Sequence, residues 1–135
     1  MNEATIQILK PDASQCEARV EWWSPEHTDC RVRVTFEDQT FEGSGGDFFD
    51  ALADLRNGCE GDGYRLLCYG ASRNVWPSGM ARDMGRGLKA YRNQLNQRAS
   101  RTDLVGIFET GADVEPGTVA EQRAFHEEWI LSLRT

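Results

Sequence analysis

The sequence predicts a single α+β domain spanning 1–135, in which an antiparallel or mixed sheet of about five to six strands carries two main helices packed on one face. Three observations lead there. The first part of the chain alternates apolar and polar residues with period two, the pattern of half-buried strands. Two later segments recur at helical spacing behind capping residues. A chain of 135 residues supports one hydrophobic core and would starve a second of apolar side chains.

The elements follow in order. Residues 5–9 alternate with Ile6 and Ile8 on one side, and Pro11 and Asp12 end the run. Residues 17–23 and 31–36 read as a β-hairpin across the turn formers of 24–29. In its second strand Val32, Val34 and Phe36 face one way while Arg31, Arg33 and Thr35 face the other, so one sheet face meets water. A short return strand through Phe41 follows the turn at 37–39. Residues 44–47 supply caps for a helix whose Phe48, Leu52 and Leu55 recur at helical spacing until Asn57 and Gly58 stop the pattern. Residues 64–69 read as a more fully buried strand, because Leu66, Leu67 and Cys68 are consecutive and apolar. After a long glycine-containing connection, 88–94 and 104–109 read as two further strands. The capping box Thr118-Val119-Ala120-Glu121 opens a last helix with an apolar stripe of Phe125, Trp129, Ile130 and Leu133. Strands, helix, strands, helix is the order of a sheet with its helices gathered on one side.

Composition excludes several classes. A hydrophobic share of 39% and a charged share of 27% belong to a folding globular chain. No apolar run approaches the roughly 18 residues that span a bilayer, and the first ten residues lack an export signal. A cytoplasmic protein without a membrane partner is expected. Cys16, Cys30, Cys59 and Cys68 are widely spaced, with no C-x-x-C pair, which argues against the usual zinc and redox signatures. They read as reduced, buried thiols, with no metal and no cofactor expected. Cys16 and Cys30 flank the hairpin, and a disulfide between them under oxidation is the alternative.

The net charge is −7, but eight of the fifteen basic residues fall between 64 and 101, where Asp83 is the one acid. Such a balance repels nucleic acid overall and attracts basic partners, while the central segment could still hold an anion.

Within that segment, residues 76–89 combine Gly79, Gly85 and Gly87 with Arg82, Arg86 and Lys89, a set able to cradle an anionic group. Ser78 can cap a short helix there. The spacing matches neither the P-loop nor the dinucleotide fingerprint. The competing reading, a structural connection whose arginines are solvated or paired with the acidic half, is the preferred one. A second candidate is the strip Asp47, Asp50 and Asp54, roughly opposite Phe48, Leu52 and Leu55, with Glu42 just upstream. It would complement the basic active site of a nuclease or another anion-handling enzyme. Its plain alternative is a solvated face, with Asp47 and Asp50 favoured by the helix dipole. Trp22 and Trp23 are adjacent on a strand, so one enters the core and the other is an interface anchor or is covered by the chain itself. Trp76 in the basic loop is a further anchor candidate.

Catalytic residues are not expected. His27 lies in a turn, and His126 shares the stripe of Trp129 and Leu133, as a core-edge histidine would. Glu127 and Glu128 point in different directions on a helix.

The stretch Arg65-Leu66-Leu67, Gly70-Ala71, Val75, Pro77-Ser78-Gly79-Met80, Met84-Gly85, Gly87 and Lys89-Ala90-Tyr91 resembles a block found in small uncharacterised bacterial proteins. The tail from Gly117-Thr118-Val119-Ala120-Glu121-Gln122 to Trp129 is similar to the end of the same proteins. This kind of compact acidic protein resembles immunity proteins of polymorphic or contact-dependent toxin systems. The resemblance implies a monomeric, non-enzymatic partner of a cognate protein toxin that occludes the toxin's active site, and it carries over no site residues. The alternative from the residues themselves is an anion- or nucleotide-binding module built on loop 76–89.

Overall fold

Strands β1 (Asn2–Leu9), β2 (Gln15–Trp23), β3 (Cys30–Phe36) and β4 (Gln39–Gly45) follow one another as antiparallel neighbours. β5 (Arg65–Leu67) returns to pair with β1, which gives the order β4-β3-β2-β1-β5. A computed structural model describes residues 1–27 and 29–134. Thr28 of the hairpin connection lies outside the described residues.

The alternation in the sequence sets the register, with Val20 opposite Val34, Trp22 opposite Val32 and Ile8 opposite Leu66. Ile6, Ile8, Val20, Val32, Val34 and Phe36 are buried on the inner face. On the outer face Arg33 lies between Glu21, at 3.8 Å, and Glu42, at 2.6 Å, as the polar half of the pattern requires.

Helix α1 (Phe48–Gly61) lies on the inner face and buries Phe48, Phe49, Ala51, Leu52, Leu55 and Cys59. Its N-cap is Asp47, whose carboxylate accepts from Asp50 N at 2.7 Å. The helix runs past Asn57 and Gly58, because Arg56, Cys59 and Glu60 all have buried roles in its last turn. The approach of α1 to the sheet is set by Gly43 on β4, where a Cβ would overlap the Ala51 carbonyl and the Leu55 amide.

The second half of the chain builds a smaller antiparallel sheet, β6 (Val75–Trp76), β7 (Lys89–Arg92) and β8 (Leu104–Gly106), in the order β6-β7-β8. β6 carries no alternation long enough to announce it. β5 is shorter than its apolar run because Tyr69–Ala71 wind into a 3-10 turn. β8 stops at Gly106, whose amide donates to the Glu109 carboxylate at 2.6 Å. Between β6 and β7 stands α2 (Gly79–Gly85), capped by Ser78, which accepts from Ala81 N at 3.0 Å. α3 (Val119–Ser132) begins with the expected capping box, Thr118 accepting from Glu121 N and Glu121 from Thr118 N.

The stripe expected on α3 is corrected in part. Phe125 is buried, but Ile130 is exposed, and the residue that α3 drives into the core is Gln122, 1% exposed. The cysteine reading holds for Cys30, Cys59 and Cys68, which are buried thiols, while Cys16 is half-buried. A Cys16–Cys30 disulfide is ruled out by topology: each opens one of two neighbouring antiparallel strands, which puts them at opposite ends of the hairpin, about 25 Å apart.

One polar cluster joins the two halves. Arg56 is fully buried and pairs through Nε with Glu60 at 2.6 Å. Its Nη1 donates to Gln122 Oε1 at 2.6 Å and its Nη2 to the Gly117 carbonyl at 2.7 Å. Gln122 Nε2 donates in turn to the carbonyls of Gly70, Ser72 and Val75. Glu60 accepts the amide of Val119 at the start of α3. These contacts fix α3 and β6 relative to α1.

Gly43→Ala should destabilise by about 3 kcal/mol, since backbone on both sides blocks the new methyl. Gly58→Ala, on the exposed side of α1 with only ordinary contact to Phe41, should stabilise by about 0.5–1 kcal/mol. Urea midpoints of both variants check the contrast. Arg56→Met should cost about 3–5 kcal/mol, because it strands the Glu60 carboxylate in the interior. An unchanged urea midpoint for Arg56→Met would show that the cluster does not hold the fold.

Candidate functional site

Part of the acidic strip of α1 and one arginine of the basic loop form an intramolecular clamp. Arg82 Nη1 lies 2.8 Å from Asp47 Oδ2 and 3.0 Å from Asp50 Oδ1, and its guanidinium sits over the Phe49 and Trp76 rings. Asp47, with its side chain 8% exposed, caps α1 and pairs with Arg82. Asp54 accepts the Ser44 amide at 3.0 Å. Of the strip, Asp47 is taken up within the fold, while Asp50 and Asp54 stay exposed.

Nor do Arg82, Arg86 and Lys89 converge into the anion cradle of the alternative reading. Arg82 is neutralised by α1. Arg86, at the left-handed C-cap of α2, donates to Ser24 and lies over Phe48, while Lys89 borders a separate apolar hollow beside Trp22 and Phe108. The Arg86 carbonyl accepts the Phe48 amide, and Gly87 takes a φ of +75° against Asp47, so loop 76–89 also supports the start of α1. The architectural reading of this loop is the one its contacts fit.

Of the tryptophans, Trp22 turns inward and stacks on Phe108 at 4.2 Å, while Trp23 lies on the outer face beneath the Arg33 guanidinium. Both are half-buried and covered by this chain's own side chains. Trp76 meets Phe49 edge-on at 5.2 Å and lies parallel to His126 at 4.3 Å, with Trp129 beyond at 6.0 Å.

That aromatic ladder forms one wall of a cleft of about 480 Å³, completed by Ser78, Arg82, Tyr91 and Asn93. A neighbouring cleft of about 670 Å³ shares Asn93 and is lined by Arg92, Asp113, Glu115 and Phe125. Its charges are paired: Arg92 donates to Asp113 at 3.0 Å and to the Thr102 carbonyl, and Arg73 pairs with Glu115 while lying over Phe125. The Tyr69 hydroxyl, 2.6 Å from Asp113, is the first cause that holds the Asp113 carboxyl below its usual range. A strap, residues 94–100, runs beside both clefts and is tied to α3 by Trp129 Nε1 donating to the Gln97 carbonyl and Asn96 N to Ser132 Oγ.

Two polar atoms stand out. Asn93 is 4% exposed, and its Oδ1 accepts no hydrogen bond among the described residues. His126 Nδ1 is buried and likewise has no hydrogen-bond partner among the described residues. Burial, then the nearby Arg82 charge, push the His126 imidazole below its usual value, which keeps it neutral. The thiols offer no counterpart, since burial pushes Cys59 up to about 12 and Cys68 up to about 11, and both stay protonated at neutral pH.

His126 and Trp129 share a helix face legible in the sequence, but their partners Trp76, Tyr91 and Asn93 come from the second sheet. No spacing signal marks Asn93. Among the described residues no helix is long and apolar enough to cross a membrane, and no group of three metal-ligating side chains converges.

The depressed His126 predicts a pH dependence. The unfolded chain takes up the imidazole proton near pH 6.5 and the folded chain only lower, so the stability contribution is complete above 6.5 and is lost as pH falls below it. Between pH 7.5 and 5.5 the urea midpoint should drop further for the parent than for His126→Phe. Parallel drops would contradict this assignment. In comparisons with known proteins the chain matches no family model and no curated protein.

Proposed function

We propose that this chain is a monomeric bacterial immunity protein, which binds a cognate toxin and occludes its active site without catalysing a reaction. One observation carries the binding face: Met80 and Met84 are 72% and 81% exposed, and Leu95, Ile130 and Leu131 are also exposed, all on α2, the strap and the end of α3, the elements that border the two clefts. Large apolar side chains left in water beside aromatic-lined clefts are the surface a protein partner covers. The net charge of −7 and the likeness to immunity proteins in 65–91 and 117–129 support a basic toxin as that partner. Trp76 and Trp129 are the aromatic anchors of this face, while Trp22 and Trp23 lie elsewhere. Asp50, still half-exposed beside Arg82, adds negative potential at its border.

The test is neutralisation. The chain is purified from its native host with its partner, and the partner is then expressed alone and together with the chain. Growth arrest by the partner, relieved by the chain, is the expected outcome. A harmless partner, or arrest that the chain leaves intact, would overturn the proposal. Replacing Met84 and Leu131 together by aspartate should weaken the complex tenfold or more, with the melting temperature nearly unchanged because both side chains are exposed.

A further inference from the structure

We infer that the open edge of β1, together with the apolar hollow beside it, takes an extended segment of a partner protein as an added antiparallel strand, with an apolar residue opposite Ala4 and a basic residue opposite Glu3. This surface is separate from the face of α2 and the end of α3, and the inference stands whether or not the partner is a toxin.

The edge follows from backbone alternation. Lys10 N donates to the Ser14 carbonyl where the β1–β2 hairpin closes, so Ile8, Ile6 and Ala4 turn their amides and carbonyls toward β2, and Leu9, Gln7, Thr5 and Glu3 turn theirs away. β5 answers Leu9 and Gln7 and ends at Leu67, after which the chain leaves the sheet for the 3-10 turn at Tyr69. On that side the backbone groups of Glu3 and Thr5 meet no hydrogen-bond partner among the described residues. Other edges are closed by the chain itself. Gln122 and Ser72 answer Val75 on β6, and Glu109 answers both the amide and the carbonyl of Gly106 on β8. On β4 Asp54 accepts the Ser44 amide, and the small hollow beside that edge is charged, lined by Arg31, Glu42 and Asp54. β1 carries no proline, lysine or bulge over 2–6, and its pairing with β2 runs unbroken from Asn2 to Leu9.

The hollow selects the side chain that enters. Beside Ala4 lies a recess of about 230 Å³ walled by Trp22, Leu88, Ile107 and Phe108, with Lys89 and Glu109 at its border. On an added strand the residue opposite Ala4 points into this recess, and a leucine there covers apolar surface now in water. The residue opposite Glu3 points outward. Glu3 already faces Glu21 on β2 and has no ion pair among the described residues, so a lysine or arginine on its free side supplies the opposite charge. A second copy of this chain lacks both features. Antiparallel pairing of two such edges through Glu3 and Thr5 sets Ala4 against its own counterpart, whose methyl leaves the recess empty, and brings no base to Glu3.

The test uses the purified chain and the peptide acetyl-Thr-Leu-Lys-Val-Lys-amide, in which the threonine falls opposite Thr5, the leucine opposite Ala4 and the first lysine opposite Glu3. The amide resonances of Glu3 and Thr5 and the indole resonance of Trp22 are followed. Saturable shifts at all three, with a Kd on the order of 0.1–1 mM, are expected for so short a strand. N-methylation of the threonine or the first lysine, whose amides face β1, should weaken binding roughly tenfold or more, whereas N-methylation of the leucine, whose amide faces away, should change it by less than about twofold. Replacing the leucine by aspartate should abolish binding. Thr5→Pro removes an amide that bonds nothing in the free chain, so this variant should fold and fail to bind. Ala4→Leu, which fills the recess from the chain's own side, should weaken binding about tenfold. The peptide series uses the parent chain and decides the matter even where a variant fails to fold. Absent shifts would overturn the inference. So would equal binding of the three N-methylated peptides, which would show the recess alone holding an apolar group. A concentration-dependent dimer of the parent that Thr5→Pro makes monomeric would assign the edge to a second copy and overturn it as well.

Discussion

The guanidinium of Arg56 has no exposed surface, yet it carries a full charge through the centre of the molecule. Burying it is tolerable only because each face of its fork is answered: Glu60 on Nε, Gln122 and Gly70 on Nη1, and Gly117 on Nη2. The answering groups come from α1, from the turn after β5, from the loop before α3 and from α3 itself. Satisfying one charge therefore fixes the relative positions of the five-stranded half and the three-stranded half. Gln122 extends the constraint, because its amide nitrogen also donates to the carbonyls of Gly70 and Ser72 after β5 and of Val75 on β6.

The aromatic cleft depends on that arrangement. α3 is oriented by Gln122 on one turn, which places His126 on the next turn against Trp76 and Trp129 one turn further, above the strap. β6 supplies Trp76 and β7 runs on into Asn93, while the Arg82 clamp sets α2 against α1. A site assembled from four elements in this way is rigid where the hub holds it and yielding at the strap, whose ties are exposed.

Electrostatics divides in the same way. The chain's excess of acids does not gather on α1, where Arg82 takes up two of them. It is spread over strands, turns and helix ends, where it sets a negative long-range potential. The basic central segment is mostly spent internally: Arg65 on the carbonyls of Glu60 and Tyr64, Arg73 on Glu115, Arg82 on Asp47 and Asp50, and Arg92 on Asp113.

The sequence by itself determined the sheet of β1 to β4, the helix α1 on its inner face and the start of α3, because alternation, helical spacing and capping boxes are local and a few neighbouring residues specify them. It also fixed that Trp22 and Trp23 part to opposite faces. Only the tertiary structure decided that Asp47 and Arg82 clamp each other across 35 residues, and that Arg56 meets Gln122 across 66. Charge pairing between distant segments leaves no periodic trace, so the same residues read as exposed candidates in one dimension. Trp76 belongs to a strand of two residues and Asn93 follows one of four, both too short to show alternation, and the two line one cleft only where α3 is laid across them. That placement follows from burying one arginine, which hydrophobic patterning does not encode.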